Sequence, residues 1–131
     1  MKFLLLLYGD ESTWVDASPD EIQRVMKEYE AFDRELVESG IYLAGEGLQP
    51  TGTATTVRLT SGETVLTDGP FAETREQLGG FYLLDCGDLD EAARWASKVP
   101  GLAEDGCVEV RPVMDYGPDY EDPASAGQAQ A

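Results

Sequence analysis

The chain has 131 residues, 42% of them hydrophobic, which suits one domain with a real core and is too short for two. Twenty-six acidic against nine basic residues leave a formal net charge of −17, which repels phosphate backbones and argues against nucleic-acid binding. There is no histidine, so every Ser-His and Cys-His mechanism is excluded.

Lys2 to Tyr8 is apolar after its first residue, the mark of a central strand covered on both faces. The run of about six apolar residues falls short of a secretory signal, and charge follows at once. No stretch approaches the ~20 apolar residues of a membrane helix. No membrane association and a cytoplasmic location are therefore expected. Ser18 can cap a helix, with Pro19 in its first turn and Glu21 completing a capping box. Ile22, Val25, Met26, Tyr29, Phe32 and Leu36 then recur at helical spacing, and Gly40 supplies the stop.

Ile41 to Leu48 reads as a strand. Thr53 to Thr60 and Glu63 to Thr67 read as a hairpin turning at Ser61-Gly62. Gly79 to Asp85 is another apolar strand. Asp88 caps a second helix bearing Leu89, Ala92, Ala93, Ala96 and Val99, which Pro100-Gly101 ends. Cys107 to Val113 is the last strand. Residues 1–114 thus form the domain, and 115–131, acidic and proline-bearing, read as a disordered tail that Tyr116 and Tyr120 tether at most weakly.

The order is β-α-β, an inserted β-hairpin, then β-α-β. Without the hairpin it is the split βαβ of an α+β, ferredoxin-like fold. Both helices then lie on one face of the sheet. Yet Phe3, Leu5 and Leu7 alternate with Leu4, Leu6 and Tyr8, so both faces of the first strand are apolar; Gly79 to Asp85 behaves likewise. Leaving one apolar face wet is unfavourable by about 25 cal/mol per Å2. A second copy of the sheet is the simplest cover, and a homodimer is expected. Cys86 and Cys107 flank the first strand on opposite sides, roughly 10 Å apart and beyond the ~7 Å reach of a disulfide. Both thiols read as small buried hydrophobes.

Five stretches resemble one known family in order: Leu7 to Glu11 (LYGDE), Gly45 to Pro50 (GEGLQP), Thr55 to Arg58 (TTVR), Thr67 to Asp85 (TDGPFAETREQLGGFYLLD) and Val108 to Val113 (VEVRPV). Over about residues 1–113 the chain resembles the YCII-related proteins, in the branch named for its Asp-Gly-Pro-Phe motif, the DGPF domain. The resemblance implies a dimeric α+β barrel of ferredoxin-like subunits. Related barrels include muconolactone isomerases, monooxygenases of small aromatics and chlorite-dismutase-like haem enzymes. It fixes no activity, though genes of this branch often stand beside those of extracytoplasmic-function sigma factors. Other YCII-like proteins carry a His-Asp pair proposed as catalytic, which a chain without histidine cannot share; nor can histidine ligate haem here.

Candidate site residues each carry a plainer reading. Asp68 is a candidate catalytic acid or base, or only the first residue of an Asp-Gly-Pro turn. Phe71 is a pocket wall or a plug that anchors its loop. Glu73 and Glu76 read as surface charges, and no carboxylate pair for a metal is indicated. Gly79-Gly80 permits a bulge or a close backbone approach but is not a phosphate loop. Arg58 and Arg111 lie in apolar strands, suited to anchor a carboxylate ligand or to pair with Glu46, Glu109 or Asp68. Tyr8, Tyr42 and Tyr82 add hydroxyls or simply pack. No cofactor is expected. These residues point to a small anionic or aromatic ligand near the sheet–sheet interface; the alternative is a non-catalytic regulatory or interaction protein in a sigma-factor-linked context.

Overall fold

The computed structural model describes residues 1–102 and 106–123. Four antiparallel strands form the main sheet: β1 (Lys2–Gly9), β2 (Tyr42–Gly47), β5 (Gln77–Asp85) and β6 (Gly106–Pro112), in the order β2-β5-β1-β6. A separate ribbon pairs β3 (Thr55–Thr60) with β4 (Glu63–Asp68). The helices are α1 (Ser12–Val15), α2 (Pro19–Glu38) and α3 (Leu89–Ala96). The architecture is α+β, and its strand order is compatible with the ferredoxin-like split βαβ.

The long helix starts and stops where its sequence dictates. Ser18 is extended and its hydroxyl accepts the Glu21 N–H at 3.2 Å, while Pro19 opens the first turn. Gly40 ends the run at φ 74°. Asp88 caps α3 by accepting the Glu91 N–H at 2.9 Å. The Glu91 carboxylate accepts from Gly87 N instead of closing the box on Asp88. The ribbon turns at Ser61 and Gly62, both with positive φ, the two-residue turn that follows strand twist.

The core lies on the helix side of the sheet. Phe3 and Leu5 of β1 and Leu84 of β5 meet Phe32 and Leu36 of α2 and Ala92 and Ala96 of α3. On the opposite face Leu4 stands beside Leu83, and Leu6 beside Phe81 and Glu109. No helix of the described residues covers that face. A two-faced apolar sheet is therefore present.

Both cysteines are free. Cys86 is buried, as expected, but Cys107 is exposed. Strand alternation explains the correction: Cys107 pairs with Tyr8 on the open face, whereas Val108 turns inward to the core. α3 ends at Ala96, before the expected Pro100-Gly101. The tail expectation falls partly on residues 124–131, outside the described set. From 115 to 123 no strand forms, Lys2 meets Asp122 at 3.6 Å, and the Tyr116 and Tyr120 rings stack at 4.8 Å. Among the described residues no helix is long and apolar enough to cross a membrane.

Candidate functional site

Missing side chains open a cleft on the helix side of the sheet. Gly47, Gly80, Leu7 and Val108 stand in one register row across all four strands. Gly9 and Gly106 form the neighbouring pair, and Gly45 faces Tyr82. With so little side-chain volume below it, the first half of α2 stands off the sheet. Met26 and Ile22, expected in the core from their spacing, are exposed for this reason. The gap is a cleft of about 640 Å3, walled by Val25, Met26, Tyr29 and Val99 and floored by the glycines. That volume falls within the range of small-molecule sites.

The cleft's polar centre is a pair. The Tyr82 hydroxyl donates to Asp33 Oδ1 at 2.5 Å. Gly45 makes the geometry possible: a Cβ there would stand 2.7 Å from the Tyr82 ring. Phe32 fixes the other side of that ring edge-on, with centroids 5.4 Å apart. Tyr29, one helical turn before Asp33, donates its hydroxyl to Pro100 O at 3.2 Å.

Burial pushes the Tyr82 phenol well above its usual range, and the hydrogen bond to Asp33 and the charge of Asp33 push it further. Tyr29 is raised too, by burial first and then by Asp33 and Glu28. The negative charge of the pair thus rests on Asp33. Stability follows with a definite sign. Unfolded tyrosine ionises near pH ~10, whereas folded Tyr82 holds its proton. Its contribution is complete below about pH 10 and lost as pH rises through the folded value. Urea unfolding between about pH 9 and pH 11 is expected to show a steeper loss of stability for wild type than for Tyr82→Phe. Equal slopes would contradict the raised phenol.

At the cleft's mouth Glu11 joins three segments. Its carboxylate accepts from the N–H of Thr51, at 2.9 Å, and from the Thr51 hydroxyl. Its own N–H donates to Gln77 Oε1 at 3.0 Å. The end of β1, the loop after β2 and the start of β5 are held together by these bonds.

The expected site residues divide. Tyr82 reaches the cleft with its side chain and Tyr8 borders it with its backbone, its ring standing on the open face beside Cys107; Arg58, Asp68, Phe71 and Arg111 do not line the cleft. Arg58 and Asp68 lie on the ribbon, paired with Val65 and Thr55. That register turns their side chains to opposite sides of the ribbon, so one chain does not bring them together. The Asp-Gly-Pro corner is closed by Gly69 N–H donating to Ala54 O at 2.7 Å and by the Thr56 hydroxyl donating to Gly69 O at 2.7 Å. Asp68 accepts neither bond, contrary to its expected turn role; Gly69 does adopt positive φ, 97°. Phe71 is 80% exposed and plugs nothing in this chain. Arg111 takes its structural alternative, pairing with Glu109 through Nε at 3.0 Å. The Gly79-Gly80 expectation holds in both senses: the β1–β5 register shifts at Leu7/Tyr8, and Gly80 approaches the β2 backbone.

Asp33 and Glu11 are the residues that sequence reading missed as site members. Asp33 carried a signal. It falls four residues after Tyr29, inside the apolar stripe of α2, where a carboxylate has no reason to stand unless something polar faces it.

Fold and site define an α+β domain with a tyrosine–carboxylate pair in a glycine-floored cleft. The chain belongs to the YCII-related family: the YCII-related domain matches residues 1–117. It is also 44% identical over 119 residues to the uncharacterized protein R00369 of Rhizobium meliloti (strain 1021), spanning 90% of this chain and 96% of that one.

Proposed function

We propose that this chain is a small-molecule-binding, enzyme-like member of the DGPF branch, whose site is the cleft between α2 and the sheet. One observation carries the reading. A hydroxyl–carboxylate pair, Tyr82–Asp33, sits in a preformed cleft whose wall is mainly apolar, with further acidic residues along it. Asp33 is the proton acceptor and Tyr82 holds it in place. Because its proton is held tightly, Tyr82 serves as a donor and not as a phenolate base. An aromatic ligand body suits the half-buried ring of Tyr29. The anionic ligand expected from Arg58 and Arg111 finds neither arginine in the cleft.

The working form is a homodimer of the α+β barrel kind, joined through the open sheet face. Arg58, Asp68 and Phe71 enter a site only where a partner's ribbon reaches across. Exposed Val57, Leu59 and Leu66 on that ribbon favour the second reading, an interaction protein that grips a partner by this arm.

Small aromatic molecules screened by thermal shift test the reading. Binders are expected to lose at least about tenfold in affinity in Asp33→Asn, the loss of one charge-assisted hydrogen bond. A screen without binders, or binders indifferent to Asp33→Asn, would leave the interaction reading in its place.

A further inference from the structure

We infer that the cleft takes an organic ammonium, a primary or substituted amine carried on an apolar or aromatic body. This rests on the cleft being the ligand site, and it adds the sign of the ligand's charge. Glu46 stands in register with Phe81, so its side chain turns to the open face of the sheet; five carboxylates line the cleft: Asp10, Glu11, Glu28, Glu30 and Asp33. None of the nine lysines and arginines does.

Three of these charges are already engaged. Asp10 accepts from Ser12, Glu11 from Thr51, and Glu28 pairs with Arg24 at 3.3 Å. Glu30 makes no side-chain bond or ion pair among the described residues. Asp33 has only the neutral Tyr82 hydroxyl. A half-buried carboxylate with a neutral partner favours an incoming cation, since attraction strengthens as water is displaced. The raised tyrosines agree: burial and the Asp33 charge both hold the site's phenols neutral. The half-buried ring of Tyr29 attracts a cation as well. A ligand carboxylate would meet repulsion from Asp33 and Glu30, and no arginine lines the cleft.

The glycine floor supplies a blocking variant. Gly47 lies in ordinary backbone space, and a Cβ there would meet nothing within 4 Å. Gly47→Val therefore fills the cleft without straining the chain. Glu38→Gln, at the far end of α2 and outside the cleft, controls for the general attraction of a −17 protein.

The experiment titrates three probes of similar size by calorimetry: 2-phenylethylammonium, 2-phenylethanol and phenylacetate. The ammonium is expected to bind saturably, the alcohol about tenfold more weakly, and phenylacetate not at all. Asp33→Asn should bring the ammonium down to the level of the alcohol, and Glu38→Gln should change nothing. Alcohol or phenylacetate binding as tightly as the ammonium, and lost in Gly47→Val, would overturn the charge class and leave the cleft as the site. Ammonium affinity unchanged in Asp33→Asn, or equally reduced in Glu38→Gln, would overturn Asp33 as the anchor. Failure of all three probes, or binding that survives Gly47→Val, would overturn both the class and the cleft.

Discussion

Leu6→Glu is expected to convert a homodimer into a folded monomer, or into aggregate. Leu6 lies mid-strand in β1, on the sheet face away from both helices. Its neighbours there are Leu4, Phe81 and Leu83, an apolar patch that one helix layer cannot reach. Burying one leucine side chain contributes roughly 1.5–3 kcal/mol. In a two-fold dimer the patch is buried in both copies, so each substitution acts twice. A glutamate at the centre of that layer is an unpaired buried charge, unfavourable by several kcal/mol. Glu109 stands directly opposite and adds like-charge repulsion.

The same substitution is mild in a monomer, where the new carboxylate stays in water. The core on the helix side, Phe3, Leu5, Leu36 and Leu84, is untouched. Sedimentation at micromolar concentration and far-ultraviolet circular dichroism separate the cases. The expected result is a dimeric wild type and a variant of the same helix content that sediments as monomer or aggregate. A monomeric wild type, or a variant that stays dimeric, would remove the open face as the interface.

Periodicity made the fold legible and left the site half hidden. The capped helix at Pro19, the ribbon turn at Ser61-Gly62 and the two-faced first strand all followed from local chemistry, because caps, turns and alternation are written within a few residues. The cleft was not visible in this way. It exists because glycines meet across strands, Gly47 beside Gly80 and Gly9 beside Gly106, and register is a product of pairing, not of any one segment. Interest in Arg58 and Asp68 came from reading a short segment as a site. The ribbon's register sends them to opposite sides. Met26 fits the helical stripe perfectly well, yet the sheet below it has no side chain to meet it.

Gly80→Ala is expected to cost about 1–3 kcal/mol, while Gly47→Ala is expected to be neutral or slightly stabilising. The two glycines are register partners on adjacent strands, so local sequence does not distinguish them. Their surroundings do. A Cβ at Gly80 would stand 2.9 Å from Glu46 O and 3.4 Å from Gly47 Cα, both backbone atoms of β2. Backbone cannot rotate away as a side chain can, so β5 and β2 must separate. That movement strains the edge-strand hydrogen bonds and carries Tyr82, two residues along, off Asp33. At Gly47 a methyl group enters open cleft, and replacing glycine there only reduces the freedom of the unfolded chain. Thermal melts of the two variants should therefore differ by several degrees, Gly80→Ala melting below wild type and Gly47→Ala at or slightly above it, and the raised Tyr82 phenol should be lost in Gly80→Ala alone. Equal melting of both variants would mean that the strands do not approach so closely, and that the glycine floor is not what opens the cleft.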